Sequence, residues 1–144
     1  MVYDNAMKLE MTGSSKNESF ARVAVAAFVA QLDPTVSDIT DIKTAVSEAV
    51  TNAIIHGYGE NPGLGTVKLE CAIQGDMVYI EVSDTGAGIE DIGQAMAPMY
   101  TSKPDMERSG MGFTVMETFM DQVEVISAPF EGTTVKMQKK LCRR

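Results

Sequence analysis

The stretch SEAVTNAIIHG, residues 47–57, places Glu48 and Asn52 within an otherwise apolar helical pattern. Residues four apart on a helix lie on the same face, one turn from each other. The neighbouring Ala45 and Ala49 are small and leave space above the polar pair. Taken alone, such a pair more often marks a solvated helix face.

A second candidate stretch, SDTGAGI at residues 83–89, follows a strand pattern directly. Gly86 and Gly88 permit backbone angles and close approaches that other residues forbid. The Asp84 carboxylate, where the strand ends, could accept a hydrogen bond from an exocyclic amine such as that of adenine. An ordinary Asp-Gly turn is the alternative interpretation.

The third stretch, ERSGMGF, precedes a predicted helix and has Gly110 and Gly112 on either side of Met111. Backbone N–H groups at a helix N-terminus form a natural anion site. Arg108 is close enough in sequence to reach a terminal phosphate by a charge-assisted hydrogen bond. A flexible helix start is the alternative.

The hydrophobic periodicity predicts elements in the order β-α-α-β-β-α-β-β. The strands cluster in hairpins, which predicts an α+β fold: a two-layer α/β sandwich whose mixed, mostly antiparallel sheet is covered on one face by helices. We expect one domain over residues 1–144. The predicted strands cover residues 7–11, 66–73, 77–84, 123–127 and 133–138, the main helices 15–32, 37–56 and 112–121, and a short helix 92–97.

Local signals refine these boundaries. Ser15 and Glu18 match a capping box at the start of the first helix, and Gly57 is a plausible C-terminal cap of the second. Cys71 lies in an alternating strand pattern and is predicted to be buried apolar filler.

Composition excludes several classes of protein. The 144 residues carry a net charge of −8, which argues against nucleic-acid binding. No apolar run is long enough for a transmembrane helix and the N-terminus does not resemble a signal peptide, so we expect a cytoplasmic protein with no membrane contact. One histidine and two distant cysteines make a zinc site improbable.

The three stretches, in this order, resemble the GHKL (Bergerat-fold) ATP-binding superfamily, which includes gyrase and the histidine kinases. EAVTNAIIHG is similar to its N box, and DTGAGI and SGMGF are similar to its two glycine boxes. Over about residues 7–140, the segments NESFARVAVAAFVAQLDP, SEAVTNAIIHGY and ERSGMGFTVMETFMD resemble the sporulation anti-sigma factors, a family of serine kinases.

This resemblance implies a role for each candidate residue. Asn52 would coordinate Mg²⁺ on the phosphates of ATP, and Glu48 would orient and help deprotonate the attacking serine hydroxyl. Asp84 would bond the adenine amine, and Thr133 would help hold adenine through water. Further implied nucleotide-binding residues are Gly86, Gly88, Gly110, Met111 and Gly112, with Arg108 stabilising charge on the γ-phosphate and residues 98–111 forming a lid.

The resemblance also implies partners: a sigma factor, an anti-anti-sigma factor that is phosphorylated on serine, and a second copy in a homodimer. The first predicted helix is apolar on nearly all sides, so a stripe of Arg22, Val25, Ala26 and Val29 is either an interface or part of the core. We expect Arg22 to contact both the sigma factor and the anti-anti-sigma factor. The alternatives are an anti-sigma kinase of the general-stress type and a nucleotide-gated sigma-binding module without kinase turnover.

Overall fold

The computed structural model describes residues 2–58, 65–85, 112–127 and 132–142. Within them the predicted element order is confirmed, whereas the helix predicted over 92–97 and the lid predicted over 98–111 lie outside the described residues. In chain order the elements are β1 (Asn5–Thr12), α1 (Asn17–Val29), a 3-10 turn (Ala30–Leu32), α2 (Val36–Tyr58), β2 (Thr66–Gln74), β3 (Met77–Asp84), α3 (Gly112–Phe119), β4 (Gln122–Ser127) and β5 (Thr133–Lys140).

The five strands form one sheet in the order β1-β2-β3-β5-β4, and every pairing between them is antiparallel. The hairpin predicted between β2 and β3 is confirmed, and Gly75 at its turn has a φ of 59°. A positive φ is unstrained only for glycine, so this position matches a tight turn. The α+β sandwich predicted from the sequence is therefore confirmed.

The core lies between the sheet and its helices, because alternate residues of each strand face the same side. In β3, Val78, Ile80 and Val82 are buried. They face the apolar stripe of α2, in which Ile42 and Val46 are fully buried. Among the described residues, no helix is both long and apolar enough to span a membrane.

Two predicted helix caps are wrong. The N-cap of α1 is Lys16, with no side-chain capping bond, so Ser15 and Glu18 form no capping box. The segment is held instead by Asn17, whose side-chain amide donates to the carbonyl of Thr12 at 2.8 Å. Gly57 does not end α2, since the helix continues to Tyr58.

The start of α2 has a cap that the sequence reading missed. The backbone N–H of Asp38 donates to Thr35 Oγ1 at 3.1 Å. Thr35, Val36, Ser37 and Asp38 fit the pattern in which a threonine side chain satisfies a free N–H of the first turn. The long helix therefore has a defined N-terminus at Val36, about 24 Å from Asn52 at 1.5 Å per residue.

Candidate functional site

Glu48, Asn52 and the first residue of α3 meet at one end of the sandwich. A Cβ added at Gly112 would lie 2.8 Å from Asn52 Nδ2, 3.2 Å from Asn52 Oδ1 and 3.3 Å from Glu48 Oε2. Glycine at this position lets the N-terminus of α3 approach the polar pair of α2. The positive end of the α3 dipole thereby lies beside a carboxylate and an amide, an arrangement suited to an anion with an associated cation.

Asn52 is buried and only 6% exposed. Its amide nitrogen finds no hydrogen-bond partner among the described residues. Buried amides are normally hydrogen-bonded, so an unpartnered one indicates a ligand position. The same amide carries an oxygen, a ligand type that Mg²⁺ accepts. Asn52 therefore fits the implied magnesium ion.

Asp84 and Thr133 lie together at the ends of two adjacent strands. They are register partners between β3 and β5, so both side chains face the helices. Asp84 is 8% exposed. With Asn52, Ala49 and Phe113 they line one small pocket between the sheet, α2 and the start of α3. The pocket is thus lined by both a hydrogen-bond acceptor, Asp84, and the Asn52 amide.

The structure adds two residues that the sequence reading did not single out. Ser127 Oγ lies 2.8 Å from Thr133 Oγ1 and 2.9 Å from the carbonyl of Gly132. Gly132 has a φ of 83° and packs so closely on β3 that an added Cβ would lie 2.8 Å from the Cα of Thr85. Strand alternation from Val123 and Val125 could have placed Ser127 on the helix side, but not beside Thr133.

A wider concavity lies on the opposite, open face of the sheet. Four of its charged residues form two cross-strand pairs: Lys8 lies 3.5 Å from Glu70, and Lys136 lies 3.6 Å from Glu81. Cross-strand pairs of this kind stabilise a solvated sheet surface. We therefore place the candidate site at the smaller pocket, where the polar groups converge.

The structure brings together Glu48, Asn52, Asp84, Gly112 and Thr133. Five other predicted site residues lie outside the described residues: Gly86, Gly88, Arg108, Gly110 and Met111.

Arg22 lies apart from the pocket, on α1. It pairs with Glu18 at 3.7 Å and its side chain is 37% exposed. Of the two interpretations left open for the stripe, the core is correct for Val25 and Val29, which have no exposed surface. Among the large apolar residues of α1, Phe20 and Val23 are exposed, at 55% and 57%.

The chain is similar to proteins of known families. Residues 15–139 match the family model of the histidine kinase-like ATPase domain. The chain is 63% identical over 137 residues to the anti-sigma F factor of Clostridium novyi, covering 95% of each chain. It is 58% identical over 139 residues to the anti-sigma F factor of Oceanobacillus iheyensis, covering 96% of this chain and 94% of that one.

Solved structures share the fold at low sequence identity. The RsbU and RsbW domains of Rv1364c from Mycobacterium tuberculosis align with a TM-score of 0.69 at 20% identity, covering 96% of this chain and 32% of that one. The catalytic domain of the histidine kinase ThkA aligns with a TM-score of 0.59 at 16% identity, covering 94% and 96%.

Proposed function

The chain belongs to the anti-sigma F factor family of the histidine kinase-like ATPases, and on this premise we propose that it is an ATP-dependent protein serine kinase. In this proposal it sequesters a sporulation sigma factor and phosphorylates the anti-anti-sigma factor that opposes it. It forms one domain. We expect it in the cytoplasm, because its proposed partner, a sigma factor, belongs to the transcription machinery.

One observation carries the proposal: Asn52, buried and unpartnered among the described residues, lies against both Gly112 and the pocket of Asp84 and Thr133. A nucleotide bound there can extend from an acceptor for its base to a helix N-terminus for its phosphates. The base then meets a hydrogen-bond acceptor, and the phosphates meet the N–H groups of a helix N-terminus.

In the proposed reaction, a serine hydroxyl of the antagonist attacks the γ-phosphorus of ATP. A new bond forms between the serine oxygen and phosphorus, the bond from the γ-phosphorus to the bridging oxygen breaks, and ADP leaves. Glu48 orients the hydroxyl and accepts its proton, assistance typically worth ~10²–10⁴-fold in rate. Phosphoryl transfer otherwise depends on positioning and on neutralising charge.

The remaining roles concern binding. Asp84 accepts the exocyclic amine of adenine, and Asn52 offers an oxygen to Mg²⁺. Mg²⁺, when bound, neutralises charge on the phosphates. Arg108 contributes positive charge at the γ-phosphate. Gly86, Gly88, Gly110 and Met111, together with Gly112, surround the nucleotide.

Arg22 and its surroundings on α1 form the proposed surface for the sigma factor and the anti-anti-sigma factor. The protein is also proposed to form a homodimer. Two alternatives use the same pocket: an anti-sigma kinase of the general-stress type differs in its partner, and a nucleotide-gated sigma-binding module lacks turnover. The neighbouring Glu48 and Asn52 favour turnover, because a module that only bound nucleotide would need no proton acceptor.

The decisive experiment is phosphoryl transfer from γ-labelled ATP with Mg²⁺ to a purified anti-anti-sigma factor. We expect label on a partner serine with the wild-type protein and a loss of at least about 10²-fold in rate for Glu48→Gln. Glu117→Gln, an exposed carboxylate on α3, is the matched control and should retain activity.

The outcomes separate the candidates. Equal rates in wild type and Glu48→Gln contradict the role of Glu48. Nucleotide binding without any label supports the sigma-binding module, and labelling of a stress-type antagonist in preference to the sporulation one supports the first alternative.

A further inference from the structure

We propose that Ser127 is a positioning residue that fixes the direction of the Thr133 hydroxyl proton and so makes the pocket select purines bearing an amino group over purines bearing an oxo group. This inference rests on the proposed function, because it concerns the base of the bound nucleotide. It adds a residue and a selection rule to that site.

The geometry places three polar side chains in one row across the sheet. Thr133 is the register partner of Asp84 on β3 and of Ser127 on β4. Since directly paired residues of antiparallel strands point to the same face, all three face the helices. Asp84 and Thr133 line the pocket, and Ser127 lies behind Thr133, on the side away from Asp84.

The row has a defined hydrogen-bond direction. The carbonyl of Gly132 can only accept, so the Ser127 hydroxyl donates its single proton to it across 2.9 Å. The bond of 2.8 Å between Ser127 Oγ and Thr133 Oγ1 must then be donated by Thr133. The proton of Thr133 thus points away from the pocket, and its oxygen can offer only lone pairs to a ligand.

The Gly132 carbonyl is the fixed acceptor at the end of this row of hydrogen bonds. The positive φ of this residue and its close packing on the backbone of Asp84 and Thr85 set the position of the accepting carbonyl relative to β3. The backbone therefore fixes the direction of these hydrogen bonds, because reversing them would turn the Ser127 proton away from the Gly132 acceptor.

The part of the pocket that would receive the purine base therefore presents two acceptors, the Asp84 carboxylate and the Thr133 oxygen. A 6-amino purine has two N–H donors, one for each acceptor, either directly or through a water. A 6-oxo purine carries only lone pairs at position 6 and a single donor at the adjacent N1, so one of the two acceptors is left facing a lone pair. Sites built around one pattern of donors and acceptors reject the mismatched ligand strongly, because buried polar groups are left unpaired.

The test is calorimetric titration of non-hydrolysable ATP and GTP analogues into the full-length protein and its variants. We expect the wild-type protein to prefer the adenine analogue. In Ser127→Ala the Thr133 hydroxyl is free to turn and donate, so the ratio of the two affinities should fall about 5- to 10-fold. Ser127→Thr keeps a hydroxyl at this position and should restore most of the preference.

A double variant separates this mechanism from general loosening of the pocket. Thr133→Val removes the hydroxyl that Ser127 orients, so adding Ser127→Ala to it should change the ratio no further. Thermal unfolding of every variant checks that the fold persists.

Two results would overturn the inference. One is a Ser127→Ala protein that retains the full wild-type preference, and the other is a Ser127→Ala effect of equal size with and without Thr133→Val. Both leave the proposed function standing. A wild-type protein that binds neither analogue contradicts the proposed function and this inference together.

Discussion

At the scale of single residues, Asn52 is the most informative position. An unsatisfied buried polar atom costs about 1–3 kcal/mol, and an apolar residue on this face of α2 would avoid that cost. Its amide nitrogen is nevertheless unpartnered among the described residues and lies beside Gly112. A ligand that bonds the amide offsets the cost, which is the physical reason to place binding at this end of the helix.

Gly112→Ala tests the close approach of the two helices. The added methyl group would lie 2.8 Å from Asn52 Nδ2, so the amide must move out of its present position. We expect nucleotide affinity to fall roughly 10- to 100-fold, with a modest loss of stability. Titration calorimetry measures this. Thr118→Ala, on the exposed side of the same helix, is the control, and equal affinities in the two variants would contradict the placement of the site.

Arg22→Glu tests the proposed partner surface. Reversing the charge of a shared contact should weaken binding of both the sigma factor and the anti-anti-sigma factor, roughly 10- to 100-fold. Loss of the partly exposed pair with Glu18 costs under about 1 kcal/mol, so the fold should persist. The control is Lys16→Glu, which makes the same charge change at the exposed start of α1. Undiminished sigma binding by Arg22→Glu rules the surface out.

At the scale of elements, one lysine connects the ends of α2 and α3 that lie far from the site. Lys139 Nζ lies 4.0 Å from Asp38 and 3.6 Å from Asp41 in the first turns of α2. It also donates to the carbonyl of Phe119, the last residue of α3, at 2.9 Å. Asp38 in turn accepts the backbone N–H of Cys142 at 2.6 Å. The two helices are therefore anchored at one end and meet at Asn52 and Gly112 at the other.

Lys139→Met tests this anchor. Its side chain is only 12% exposed, so the substitution takes a buried cation away from two carboxylates and a carbonyl, although Asp38 keeps the N–H of Cys142. We expect a loss of about 2–4 kcal/mol in the free energy of unfolding, measured by urea denaturation. Lys136→Met breaks a pair whose lysine is 49% exposed and should cost less than about 1 kcal/mol. Similar losses for both variants would contradict the anchor.

At the scale of the whole molecule, the sheet separates two environments. One face packs on the helices, and the other carries cross-strand ion pairs such as that of Lys68 with Glu10 at 3.5 Å. Cys71, on β2, lies on the packed face and is 1% exposed. Burial raises the pKa of its thiol from 9.0 to about 12.

This buried thiol reports on global unfolding. At pH 8 we expect iodoacetamide to modify the exposed Cys142 rapidly and Cys71 only when the molecule unfolds. Peptide mass spectrometry distinguishes the two cysteines. Rapid modification of Cys71 in the native protein, without acceleration by urea, would contradict a closed core.

The same shift predicts how stability depends on pH. The folded pKa is raised, so the thiol's contribution is fully present below pH 9.0 and is lost as pH rises toward about 12, because only the unfolded chain releases the proton in that window. We expect urea denaturation to show a decline of about 1.4 kcal/mol per pH unit there. Cys71→Ala should lack this component, and identical pH profiles would contradict it.

The sequence by itself predicted the order of the elements and the residues proposed to form the site. Strand periodicity is local, so β3 was predicted at its observed bounds. Glu48 and Asn52 share a face through helix geometry alone. Short-range signals were less reliable at helix ends, where the Ser15–Glu18 pattern formed no capping box because Asn17 is bonded to β1 instead.

Only the tertiary structure decided which of these residues meet. Strand order is not local: β5 lies between β3 and β4, which alone brings Thr133 between Asp84 and Ser127. The contact of Gly112 with Asn52 joins residues 60 positions apart. An apolar helix can face the core or a partner with the same composition, so the burial of Val25 and Val29 was settled by the packing of α1 on α2 and the sheet.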